Sequence, residues 1–228
     1  TLYSGFGLGT MLLPVFALFF PVEVAVAATA VVHGANNVFK ISVVGRHADR
    51  ELVIGFGVPA ILAAFAGAAA LGFVAHLGRL ATFTIGAHTA VITPVKLLIA
   101  LLMFIFALFE LLPRLKNLAF DRNYLFVGGI LSGFFGGLSG HQGAMRSAFL
   151  IKTGVSTESF VGTNAVIGFM VDMARLAIYL VTFLFIPSGG PVSSGQWPLI
   201  ATGIAAAFTG VLLGKRYLKK IRIKTVQT

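Results

Sequence analysis

Cysteine is absent from this 228-residue chain, which excludes disulfides and thiolate metal ligands together. Charge is nearly as scarce: 11% of the residues carry it, and only seven are acidic. No paired-carboxylate motif and no nucleophile elbow occurs, and the glycine-rich runs neither follow strand patterns nor carry the lysine of a phosphate loop. His76 and His88 flank a turn with no third ligand at metal spacing. Glu23, Glu110 and Glu158 sit at segment ends, where capping or solvation accounts for them. No catalytic residue, metal or cofactor is therefore expected.

Apolar surface is what the chain has in excess. Hydrophobic residues make up 57% of it and the mean hydropathy is +0.96, more than a soluble domain of this size can bury, so the bilayer must be its solvent. The net charge of +10 does not point to nucleic acid, because the cations occupy short turns and a C-terminal run, with no basic face interleaved with aromatics. That run, Lys215, Arg216, Lys219, Lys220, Arg222 and Lys224, reads as a cytoplasmic anchor behind a membrane helix.

Seven apolar segments follow one another at 5–20, 22–44, 52–75, 91–112, 124–151, 159–186 and 197–213. Most are long enough to cross ~30 Å of hydrocarbon at about 1.5 Å per residue. The stretch 188–196, with Gly, Pro and Ser but no charge, is the clearest polar loop. The chain also repeats itself: displaced by 134 positions, Gly9, Met11, Thr29, Val32 and Gly34 fall on Gly143, Met145, Thr163, Val166 and Gly168. Such a repeat in a membrane chain predicts a transporter of two related halves. Residues 1–112 form the first repeat, 113–122 a cytoplasmic linker and 123–228 the second. Under the same displacement 124–133 maps before residue 1 and 92–112 maps at or beyond the last residue, Thr228. The start of a first helix and a final helix are therefore expected to be missing.

Cation placement constrains the topology. Arg46 and Arg50, then Arg114, Lys116 and Arg122, then Lys152, then the C-terminal run occupy four connections. Single crossings throughout would divide these charges between the two sides. If 124–151 instead enters and returns as a hairpin, all four share one side, which the positive-inside rule makes cytoplasmic. An odd number of crossings per half then inverts the second repeat relative to the first. The expected fold is all-α: a polytopic helical membrane bundle of two homologous, inverted repeats with Gly-rich broken or re-entrant helices.

Three sets of residues are candidates for a ligand site. Gly128, Ser132, Gly136 and Gly140 form one stripe of small residues at four-residue spacing, and Gly129, Gly133 and Gly137 form its neighbour. Small stripes pack helices closely. A break at 139–143 would turn backbone amides and the side chains of His141 and Gln142 toward a cavity, which is where irregular backbone is tolerated at membrane depth. Gly9 and Gly143 are the repeat-related positions. Asn164, Gly168, Asp172, Arg175 and Tyr179 share one helix face, preceded by Thr163. Asp172 falls near mid-membrane, where a charge costs about 2.5 to 3.5 kcal/mol, so pairing with Arg175 three residues on is expected. Thr29, His33, Asn36 or Asn37, and Lys40 form the corresponding face in the first half. Lys40 also lies close enough to the turn at Gly45 to snorkel, and His33 and the Asn pair are equally suited to bonding helices together.

The order of these motifs resembles the sulfite exporter (TauE/SafE) family of the bacterial inner membrane. The likeness rests on Ser4-Gly5-Phe6-Gly7-Leu8-Gly9 before Pro14, on His33 to Lys40 leading to Arg46-His47, on Gly136 to Gly143, and on Gly162-Thr163-Asn164 before Asp172 and Arg175. The family's glycine triplet is thinner here, at Leu8-Gly9-Thr10 and Gly140-His141-Gln142-Gly143. The resemblance implies outward transport of small sulfur oxyanions or organosulfonates, coupled to an ion gradient, H+ or Na+. Arg175, Arg146, Lys40 and amides at a broken helix suit such an anion. Asp172 or His33 is then a candidate proton-coupling group. The rival readings are a membrane-embedded enzyme or assembly factor using His33 and His141, and a helical scaffold without a ligand.

Overall fold

The computed structural model describes residues 8–86, 88–116, 118–185 and 197–218. Gly5 and Gly7, the 188–196 loop and the cations from Lys219 onward lie outside them. Ten α-helices occur among the described residues: α1 (Leu8–Ala17), α2 (Val22–Val44), α3 (Arg50–Leu52), α4 (Val58–Ala75), α5 (Pro94–Leu111), α6 (Pro113–Lys116), α7 (Leu125–Ser139), α8 (Gly143–Leu150), α9 (Thr157–Phe185) and α10 (Trp197–Leu218). A π turn at Val53–Gly57 joins α3 to α4. Four helical stretches, Val22–His47, Arg50–Ala75, Thr157–Thr182 and Trp197–Gly214, are long and apolar enough to cross a membrane. The all-α polytopic membrane class is therefore the fold observed.

The described part of the first apolar segment is the 10-residue α1, with Pro14 inside it. One segment differs from expectation. The 91–112 segment starts in a strand instead of a helix: β1 (Ala81–Ile85) pairs antiparallel with β2 (His88–Ile92), with Thr84 opposite Thr89. Alternation in Thr82-Phe83-Thr84 and a left-handed Gly86 (φ 60°) make this hairpin, and α5 begins only at Pro94. There the missing amide of proline costs nothing, and the Thr93 hydroxyl accepts the Lys96 N–H at 3.3 Å.

The glycine-rich segment folds as a hairpin. Helix α7 ends at Ser139, Gly140 turns left-handed (φ 84°), and α8 starts at Gly143. The return is fixed at its far end, where the Phe120 N–H donates to Ala148 O at 3.0 Å and Lys152 Nζ meets Asp121 at 3.4 Å. Entry and exit thus lie together, as the cation placement required.

The two small-residue stripes of α7 receive different neighbours. Gly129, Gly133 and Gly137 lie against the carbonyls of Phe56, Ala60 and Ala64, and a Cβ at Gly133 would occupy the place of Ala60 O. This α4–α7 seam is backbone against backbone. The other stripe faces the returning limb: Gly128 lies under the Phe149 ring, Gly136 faces Gln142 Cβ, and Ser132 Oγ donates to Gln142 O at 3.2 Å. One helix therefore carries both the scaffold seam and the hairpin.

Apolar burial forms two clusters, one including Phe16, Val32 and Phe106, the other Val44, Phe56, Phe149 and Val171. Along α2 the changeover between them spans the buried polar residues His33 to Lys40. Helix α9 lies against this stretch: Gly34 faces Asp172 and Leu176, and Gly168 faces Asn37. These are the two glycines that the sequence repeat equates.

Candidate functional site

A single carboxylate organises the polar centre. Asp172 is fully buried on α9, and its Oδ2 accepts from His33 Nδ1 and from Asn37 Nδ2, both at 2.7 Å. Its Oδ1 accepts from Arg175 Nε at 3.0 Å and Nη2 at 2.7 Å, with Gln142 Nε2 at 3.5 Å. The helical repeat brings Arg175 over Asp172 three residues on, and the same repeat sets His33 and Asn37 one above the other. Five donor atoms of four residues on three segments thus meet one anion.

Gln142 extends the network into the hairpin. Its Oε1 accepts from Arg146 Nη1 at 2.8 Å, while Arg146 Nε donates to Asn164 Oδ1 at 2.7 Å. Asn164 in turn donates to Phe160 O at 2.9 Å, which fixes the orientation of its amide. Gly168 makes room for this: a Cβ there would approach Arg146 Nη1 at 3.3 Å and Asn37 Nδ2 at 2.8 Å. Further along α9, the Tyr179 hydroxyl donates to Gly137 O and ties the helix to α7.

Cations outnumber carboxylates in this interior. Lys40, Arg146 and Arg175 are all buried, against Asp172 as the one buried carboxylate among the described residues. One guanidinium donor and one ring nitrogen remain open besides. Arg175 Nη1 is buried with no hydrogen-bond partner among the described residues, and it lies against Gly140, where a Cβ would displace it. Nε2 of His141 is likewise buried and without a partner there, its ring stacked on Phe106 at 5.4 Å and its Nδ1 3.1 Å from Ser139 Oγ. Gly9 closes the other side of the turn, 3.4 Å from Gly140 O to the place of a Cβ. The open Arg175 Nη1 beside the start of α8 has the chemistry to meet an oxyanion, since a helix N-terminus presents free amides and a positive dipole end.

A sequence model of the sulfite exporter TauE/SafE family matches residues 3–228. The chain belongs to that family. No curated protein and no solved structure matches it. As a TauE/SafE protein it is a sulfite-exporter-type membrane transporter, and the apolar helices place it in the membrane as a multi-pass chain.

Within this TauE/SafE chain, the expected residues fall into three groups. His33, Asn37, Gln142, Asn164, Asp172 and Arg175 share one network with Arg146. Gly9, Gly140, His141 and Gly143 meet at the break, and Lys40 is buried on the α2 face below Asn37. Thr29 and Asn36 are buried with side-chain atoms that have no partner among the described residues. Thr163 stands apart, because its hydroxyl accepts the Asp49 N–H at 2.8 Å and so anchors the connection after α2. Phe106 as the platform for His141 carries no sequence signal, since a stacked aromatic 35 positions away looks like any other apolar residue of α5.

Proposed function

We propose that this protein carries small sulfur oxyanions or organosulfonates such as sulfite out of the cell, coupled to a gradient of H+ or Na+. The anion sits between the Gly140–Gly143 break and the polar faces of α2 and α9, and it leaves chemically unchanged. The observation that carries this reading is Arg175: two of its nitrogens hold Asp172, while Nη1 is buried, open and aimed at the break. An anion there gains a charge-assisted hydrogen bond without dismantling the ion pair. The α8 amides complete its coordination, and Arg146 stands behind with a second buried charge. The His33 to Asp172 bond is the natural place for a coupling proton, because a proton there changes the charge beside Arg175.

The two halves read as inverted repeats. The displacement of 134 carries α1 onto 142–151 and α2 onto 156–178, against the observed α8 and α9, and the repeat-related Gly34 and Gly168 face each other's helix. The cation-rich connections and the C-terminal basic run then face the cytoplasm of a bacterial inner membrane.

The test is flux of labelled sulfite and simple sulfonates in proteoliposomes under imposed pH or sodium gradients. Wild-type protein should move the anion, and Arg175→Ala, if still folded, should not. Full flux in folded Arg175→Ala protein sinks the site, and no flux of any oxyanion under either gradient sinks the substrate assignment.

A further inference from the structure

A cavity of about 210 Å³ lies on the side of α8 away from the ion network. Phe109, Leu115, Leu118, Phe120, Leu131 and Ala148 line it, together with other residues of α8. At 3.6 residues per turn, Ala144, Ser147 and Ala148 share one face of that helix and Arg146 points to the opposite one. The cavity therefore backs the element that carries Arg146. Its mouth is on the outer surface, since Leu131 and Phe120 are 40% and 36% exposed.

Two features specify what fits. Ser147 lines the cavity, is 6% exposed, and its hydroxyl has no hydrogen-bond partner among the described residues, so an otherwise apolar space holds one unmet polar group. Beside the mouth, Asp121 already meets Lys152 at 3.4 Å and Arg122 meets Glu51 at 2.6 Å, so Arg114, next to the lining Leu115, is the described linker cation with no carboxylate on it. An apolar body, one acceptor and a negative head are the description of an anionic phospholipid at a membrane surface.

We propose that an anionic phospholipid occupies this cavity. An acyl chain fills the space between α5, α7 and α8, an ester carbonyl accepts from Ser147 Oγ, and the phosphate lies against Arg114. Bound there, the lipid wedges α8 toward α9 and holds Arg146 against Gln142 and Asn164. This site is separate from the substrate cradle and can be measured without any flux.

Native mass spectrometry of the detergent-solubilised chain, titrated with dioleoyl phosphatidylglycerol or dioleoyl phosphatidylcholine, reads the binding directly. One phosphatidylglycerol should be retained at concentrations that leave phosphatidylcholine unbound. Ala148→Trp, which fills the cavity and leaves every linker cation in place, should weaken that retention about tenfold, equal to about 1.4 kcal/mol. Leu131→Trp fills the same space from the lipid-facing side of α7 and serves if Ala148→Trp does not fold. Equal retention of the two lipids, or undiminished phosphatidylglycerol in a folded cavity-filling variant, overturns the proposal.

Discussion

Replacing Asp172 with asparagine keeps the shape of the side chain and removes its charge, so it isolates what the carboxylate contributes. One oxygen then becomes an NH2 donor. If it replaces Oδ2, it faces His33 Nδ1 and Asn37 Nδ2, both now 2.7 Å from a group that cannot accept. If it replaces Oδ1, it faces Arg175 Nε and Nη2 at 3.0 and 2.7 Å, and in either orientation the fully buried guanidinium loses its counter-charge. Neither orientation satisfies both sets of donors. Breaking a buried ion pair from one side costs about 3–5 kcal/mol. At about 2–4 °C per kcal/mol for a chain of this size, the thermal midpoint in detergent should fall by roughly 6–20 °C. Glu51→Gln is the matched control: it also removes a carboxylate 2.6 Å from an arginine, but Glu51 and Arg122 are 79% and 50% exposed, so the pair is worth about 0–1 kcal/mol. An Asp172→Asn midpoint no lower than that of Glu51→Gln would refute the central role given to this carboxylate.

Two further outcomes follow from the packing and the network. Gly133→Ala places a methyl where Ala60 O lies, on backbone that cannot yield, and should cut the yield of folded protein sharply, whereas Gly55→Ala, with nothing within 4 Å of the new carbon, should leave size-exclusion profiles unchanged. Arg146→Lys keeps a cation but replaces the two fixed nitrogens that meet Asn164 and Gln142 by one ammonium, so sulfite flux at low concentration should drop by about tenfold, one lost charge-assisted bond. Unchanged flux at low sulfite concentration in folded Arg146→Lys protein would place that arginine outside the transport site.

Much of this was legible in the residues because membrane-embedded polar groups have few places to go. The three-residue spacing of Asp172 and Arg175 fixes their pairing in any helix, and a glycine run ending in Ser139-Gly140-His141-Gln142 cannot continue as a straight helix without a reason. The stripes of α7 were visible as spacing, but which helix fills each stripe depends on tertiary packing. The partnership of Thr163 with Asp49 was hidden for the same reason: repeat symmetry equates it with Thr29, while the local loop geometry claims its oxygen. The β1–β2 hairpin was obscured because Val91 and Ile92 read continuously into the apolar run of α5, and only Pro94 marks where that helix starts.

The donors gathered on Asp172 also bear on how the chain is made. His33 and Asn37 leave the ribosome 139 and 135 residues ahead of the carboxylate that will hold them. Until α9 follows, α2 enters the bilayer with its polar face unmatched, and its stretch has the lowest mean hydropathy of the four long ones, 1.2 against 1.6 to 2.1. Its residence in the membrane during synthesis rests on neighbours that do not yet exist or on the insertion machinery. The polar face of α2 is thus completed only when α9 is made, and a truncation before residue 172 should leave α2 exposed to quality control.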